Sequence, residues 1–146
     1  MTIQLNMKTM KYNIVEGSEI SKIISDLLVS FKNETIKRDV LDDEWYVVNK
    51  QNNVDSAGFC FYASEVIYRL TGGKDNWIIK RISEEDFREG PHYYLMSKID
   101  NSILDITSDQ YTKFGIEIPY EKGKGRGLQR VSIKARKLAN YIGKII

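Results

Sequence analysis

Three residues in this chain have the types needed for nucleophilic chemistry. The chain holds one cysteine, Cys60 in "SAGFCFYASEVIYRL", and one histidine, His92 in "PHYYLMSKIDNSILDIT". Asp105 follows, set between Leu104 and Ile106. A thiolate can attack a carbonyl, and an imidazole can carry the proton from thiol to leaving amine. A carboxylate beside the imidazole fixes its tautomer and stabilises the imidazolium. Each residue also has a plainer reading. Cys60 is then a small buried hydrophobe, His92 a partly exposed surface residue, and Asp105 a turn or cap residue before "TSDQ". The three converge only if the chain folds to bring them together.

The elements around them supply that possibility. Cys60 falls in the first turn of a predicted helix that starts near Gly58, is capped by Asp55 or Ser56, and ends at Gly72-Gly73. Phe59, Ala63, Val66 and Leu70 form its expected buried face. A helix N-terminus presents unpaired N–H groups and partial positive charge, which favour thiolate over thiol. The small residues Ala57 and Gly58 leave room for a substrate backbone. "NWIIKRI", "HYYLMSKI" and "SILDIT" read as three strands, with Asp100-Asn101 as a tight turn between the last two. His92 then opens a strand at the sheet edge, and the hairpin brings its end toward Asp105.

Elsewhere, Ile20, Ile23, Ile24, Leu27, Leu28 and Phe31 lie on one helical face behind Ser18 as N-cap. "TIQLNM" and "KYNIVE" suggest a short strand or an arm. Residues 33–57 read as polar and irregular, interrupted by the apolar patch Trp45, Tyr46, Val47 and Val48. Residues 108–114 suggest a short helical turn, and "IPYEKGKGRGLQR" a basic Gly-rich loop. Ser132 is expected to cap a last helix with Ala135, Leu138, Ala139, Ile142 and Ile145 on one face. Trp45 and Trp77 are expected in the core. The pattern predicts one α+β domain over 1–146, with N-terminal helices on a small antiparallel sheet and a C-terminal helix.

Composition narrows the function classes. The 146 residues are 42% hydrophobic and 29% charged, with a net charge of +2, so bulk charge does not imply a polyanionic partner. One cysteine cannot form an internal disulfide, and one cysteine with one histidine falls short of the ligands a Cys/His zinc cage needs. The expectation is no metal and no organic cofactor. No apolar run approaches a membrane span, and the N-terminal residues lack a signal-like apolar core. A cytoplasmic protein with no membrane association is expected.

The stretches "AGFCFYASEVIYRLTGG" and "HYYLMSKIDNSILDITSDQY" resemble the YunG-like group of small bacterial proteins. More distantly they are similar to transglutaminase-like and papain-like cysteine enzymes. The shared features are Gly-x-Cys opening a helix that ends in Gly-Gly, a His-aromatic strand, a hairpin, and Asp-x-Thr followed by glutamine and an aromatic. The "SIKARKLANYI" helix also fits. The likeness covers residues 45–142 loosely and 56–111 best. It implies a papain-like α+β fold with Cys60 as nucleophile, His92 as base and Asp105 as orienting acid. The expected activity is a thiol hydrolase or acyltransferase (protease, amidase, deamidase or transglutaminase-type) on a protein or small amide substrate. The chain departs from the pattern at Phe59, where a polar residue is expected before the cysteine. The Cys60 backbone N–H with Gln51, Asn52 or Asn53 would then have to form the oxyanion site. The competing reading is a papain-like fold with a degraded site that serves as a binding module.

Two further features bear on partners. Seven basic residues and no acid lie between Lys122 and Lys137 (Lys122, Lys124, Arg126, Arg130, Lys134, Arg136, Lys137). They suggest a weak anionic partner, or simply a solvated face. "GKGRG" lacks phosphate-binding P-loop spacing. Tyr93, Tyr94, Tyr111 and Tyr120 are candidates for a substrate groove, with core packing as the alternative.

Overall fold

The first helix forms where the apolar spacing demands it. In the computed structural model, which describes residues 9–146, α1 spans Glu19–Ser30, and the Ser18 hydroxyl accepts the Ser21 N–H at 3.2 Å. Ile23, Ile24, Leu27 and Phe31 are buried, whereas Leu28 is 43% exposed, so the buried stripe is narrower than the spacing implied. "TIQLNM" lies outside the described residues. "KYNIVE" meets the sheet at its start, where Lys11 makes an isolated parallel bridge to Ile103 and the Tyr12 N–H donates to the Ile103 carbonyl at 2.8 Å.

Residues 33–57, expected to be irregular, contain two helices. α2 (Glu34–Val40) is capped by the Asn33 side chain, which accepts the Ile36 N–H at 3.0 Å. α3 (Asp43–Asn52) ends at Asn53 in the left-handed conformation. Both are too short and polar to show a clear apolar stripe, and helices of this length depend on tertiary packing. Ile36 and Val40, one turn apart, supply that contact for α2.

α4 (Cys60–Leu70) is the central helix and buries Ala63, Val66 and Ile67. Leu70 is only half-buried. Its N-cap position is Phe59, with no side-chain cap; neither Asp55 nor Ser56 fills that role. Instead Asp55 accepts a hydrogen bond from buried Lys37 at 2.6 Å, and the Ser56 hydroxyl donates to Asp109. Phe59 is fully buried and stacks on Phe31, with ring centroids 4.5 Å apart.

Four strands follow: β1 (Trp77–Ile82), β2 (His92–Ser97), β3 (Ile103–Leu104) and β4 (Lys124–Arg126). They form one antiparallel sheet in the order β3-β2-β1-β4. β2 is therefore an interior strand and not an edge. The "GKGRG" segment, expected to be a loop, supplies β4, which pairs with β1 through its backbone while its own residues stay exposed. The turn after β2 is longer than two residues. Asn101 takes a positive φ of 60°, and Asp100 accepts both the N–H and the hydroxyl of Ser102 at 3.0 and 2.6 Å. A short α5 (Asp109–Thr112) and α6 (Ile133–Tyr141) complete the fold. The Ser132 hydroxyl accepts the Ala135 N–H, and Ala135, Leu138 and Ala139 are buried, but Ile145 lies beyond the helix and is exposed.

Strand alternation splits the apolar residues between two clusters. Ile79, Leu95 and Leu104 pack with the helices, while Ile82, Tyr94 and Ile103 pack with Phe87, Tyr111 and Ile118. The described residues thus form a mixed α+β fold with six α-helices and a four-stranded antiparallel sheet. Among them no helix is long and apolar enough to cross a membrane.

Candidate active site

The approach to Cys60 is held from below by α3. Buried Asn49 donates its side-chain N–H groups to the carbonyls of Asp55 and Ala57, at 3.0 and 2.9 Å. Gly58 then turns the chain with a φ of +91°. A Cβ at that position would stand 2.9 Å from Leu41 Cδ2 and 2.9 Å from Trp45 Cβ, so both the backbone conformation and the close helix require glycine. Cys60 follows as the first residue of α4. The first intrahelical bond joins the Ala63 N–H to the Phe59 carbonyl at 2.8 Å. The N–H groups of Cys60, Phe61 and Tyr62 precede it, without intrahelical acceptors.

His92 and Asp105 meet through strand register. Leu95 pairs with Leu104, so the next residue along β3, Asp105, falls beside Tyr94 and on the same sheet face as His92. The His92 ring is fully buried, and its Nε2 lies 2.7 Å from Asp105 Oδ2. Asp105 is itself secured. Tyr120 donates its hydroxyl to Oδ2 at 2.7 Å, and Thr107 approaches Oδ1 with its N–H and hydroxyl, each at 3.3 Å. The other ring nitrogen, Nδ1, is buried without a well-aligned partner. The Cys60 side chain lies near enough to the ring to favour its protonated form.

The electrostatics follow from these contacts. Burial alone would strip the proton from the His92 imidazolium. The charge of Asp105, its hydrogen bond and the Cys60 side chain outweigh that cost, and the His92 pKa is pushed up to about 10. At neutral pH the ring is therefore an imidazolium, with Nε2–H donating to Asp105 and Nδ1 left without a hydrogen-bond partner. Burial, followed by the Asp105 charge, holds Tyr94 and Tyr120 in the protonated form. Tyr120 thus remains a donor to Asp105.

A cleft of about 300 Å³ opens at Cys60, lined by Asp42, Trp45, Gly58, Phe61, Tyr62, Pro91, Tyr93 and Arg126. Of the tyrosines expected along a groove, Tyr93 lies on this wall. Tyr94 and Tyr111 do not; both are buried, and Tyr111 packs edge-on against the His92 ring at 4.9 Å. Gln51, Asn52 and Asn53 also lie elsewhere, exposed at the far end of α3. Asn53 borders a different depression, and its carbonyl accepts a bond from Lys113. The 33–57 segment becomes helical, and α3 carries these three side chains away from the cleft while presenting Trp45 to it. Trp45, expected in the core, is only half-buried. A second hollow of about 320 Å³, apolar and bounded by Ile24, Leu28 and Leu104, touches Asp105 from behind and has no wall from Cys60.

Sequence reasoning grouped Tyr120 with the groove tyrosines, whereas it donates to Asp105; it missed Thr107, Trp45, Asp42 and Arg126. Only Thr107 carried a signal, as the last residue of Asp-x-Thr. The others arrive through contacts between distant segments. Several of the basic residues have internal partners. Lys134 and Lys137 bind the Asp39 carbonyl and carboxylate, Arg136 reaches the Ile146 carbonyl, and Arg126 lies over the Phe61 ring. Among the described residues no group of three or more His, Cys, Asp or Glu side chains is placed to hold a metal ion.

Compared with known proteins, the chain matches no family model, no curated protein and no solved structure. The likeness to YunG-like and papain-like proteins therefore rests on the residues that carry it.

Proposed function

We propose that this chain is a cysteine hydrolase or acyltransferase of papain-like architecture, acting on an amide or peptide-like bond. The observation that carries the reading is the fully buried His92 ring, held by Asp105 through Nε2 at 2.7 Å, with Nδ1 unpartnered and Cys60 nearby at a helix start. Such a ring is oriented, charged and free on one side, as proton transfer requires.

The chemistry balances with these groups alone. The Cys60 thiolate adds to the carbonyl carbon, and the carbonyl oxygen takes the negative charge. Backbone N–H groups at the start of α4 point to where that charge develops. The carbonyl re-forms as the C–N bond breaks, and the amine leaves with the proton from His92 Nδ1. A thioester remains, with a neutral imidazole. That imidazole takes a proton from water as the hydroxide attacks the thioester. The C–S bond breaks, an acid is released, and thiolate and imidazolium are restored. An amine in place of water gives acyl transfer. A free thiol nucleophile suits a reducing compartment, so we place the protein in the cytoplasm.

The binding-module reading draws on Phe59, which is buried apolar where a polar donor was expected. One experiment separates the two. Iodoacetamide should label Cys60 rapidly at pH 6, and His92→Ala should slow it by about tenfold or more, in proportion to the lost thiolate. Slow labelling that is indifferent to His92→Ala would instead assign a degraded site.

A further inference from the structure

Arg126 stands at the Cys60 cleft in an arrangement that its own strand does not need. It lies on edge strand β4, opposite Ile79, so its side chain is directed to the face carrying α4. The guanidinium sits 4.7 Å from the centroid of the Phe61 ring and 5.5 Å from that of Tyr93. Those two rings pack edge to face at 4.9 Å. Phe61 directly follows Cys60, and Tyr93 directly follows His92. The cation is thereby indexed to both members of the proposed catalytic pair.

The rings hold the guanidinium and accept none of its in-plane hydrogen bonds, which leaves its N–H fork for a partner of matching geometry such as a carboxylate. Its neighbour Arg81 is already engaged, donating to Tyr93 Oη at 3.1 Å and to Glu84 at 2.8 Å. Among the described residues no carboxylate forms an ion pair with Arg126. The cleft holds one acid, Asp42, which the Tyr62 hydroxyl engages at 3.3 Å. Asp42 repels anions from its own surroundings. One cation and one anion lining the same cleft suit a monoanionic group better than a doubly charged phosphate.

We infer that Arg126 is a specificity residue that selects amide substrates bearing a carboxylate close to the reacting carbonyl. The inference deepens the cysteine acyl-transfer reading and rests on it.

Two alkylating reagents of nearly equal size test it on the full chain. Iodoacetate carries the carboxylate and iodoacetamide does not. The ratio of their rates at Cys60, measured by mass spectrometry, should exceed that of a free cysteine peptide by about tenfold or more through local steering. Arg126→Met keeps an apolar stem over the rings and should return the ratio to the peptide value; Arg126→Lys keeps the charge without the planar fork and should fall between. A ratio that Arg126→Met leaves within about twofold of wild type overturns the assignment. Failure of the nucleophile reading looks different. Both reagents would then be slow and indifferent to His92→Ala, while their ratio would still report on Arg126.

Discussion

Replacing Asp105 by Asn removes the charge that keeps His92 protonated and preserves the shape of the side chain. The rise of the His92 pKa from 6.5 to about 10 corresponds to at most roughly 5 kcal/mol of preference for the charged ring in the fold. Because the folded-state value lies above the unfolded one, this stability is fully present below pH 6.5. It is lost as pH climbs through 10, at up to about 1.4 kcal/mol per pH unit. In Asp105→Asn the buried ring becomes neutral at neutral pH, so the variant lacks that slope. The gap between wild type and variant should therefore be largest near pH 6 and close toward pH 10. About 1 kcal/mol, the net worth of an ordinary hydrogen bond, should remain there. Urea unfolding followed by tryptophan fluorescence at pH 6, 7, 8, 9 and 10 gives the curve. NMR of the single imidazole gives the titration directly. A gap that stays constant over this range, or a wild-type imidazole that titrates near 6.5, would refute the coupling between the two residues.

Two other perturbations probe how the site is mounted. Glu65 is completely buried on α4, pairs with Arg69 at 2.9 Å, and accepts the Ser132 hydroxyl at 2.8 Å and the Ser132 N–H at 3.2 Å at the start of α6. Glu65→Ala leaves Arg69 without its counter-charge and unties α6, and should cost about 3–5 kcal/mol in chemical denaturation. Gly58→Ala combines a left-handed backbone with contacts of 2.9 Å to Leu41 and Trp45. It should destabilise by about 1–3 kcal/mol and slow Cys60 alkylation more than an equally destabilising core substitution does, as measured by paired melting and labelling curves.

The amino-acid sequence by itself determined the parts whose signal is local. Apolar spacing marked α1, a Ser cap marked α6, β-branched and aromatic runs marked β1 and β2, and residue scarcity singled out Cys60 and His92. The hairpin reading also anticipated that Asp105 would approach His92, because register follows from alternation once two strands are paired. Other features needed the tertiary structure. α2 and α3 are too short and polar to reveal themselves, and they are helical because Ile36, Val40 and Asn49 find partners elsewhere. β4 is held by backbone hydrogen bonds, which leave no pattern in its side chains. The same cause misplaced Gln51, Asn52 and Asn53: a loop would have let them reach the cleft, whereas a helix directs them away. Tyr120 reaches Asp105, and Arg126 reaches the rings beside Cys60 and His92, only through packing between segments far apart in the chain. Spacing along one segment carries no trace of such contacts, because they depend on how the helices and the sheet meet.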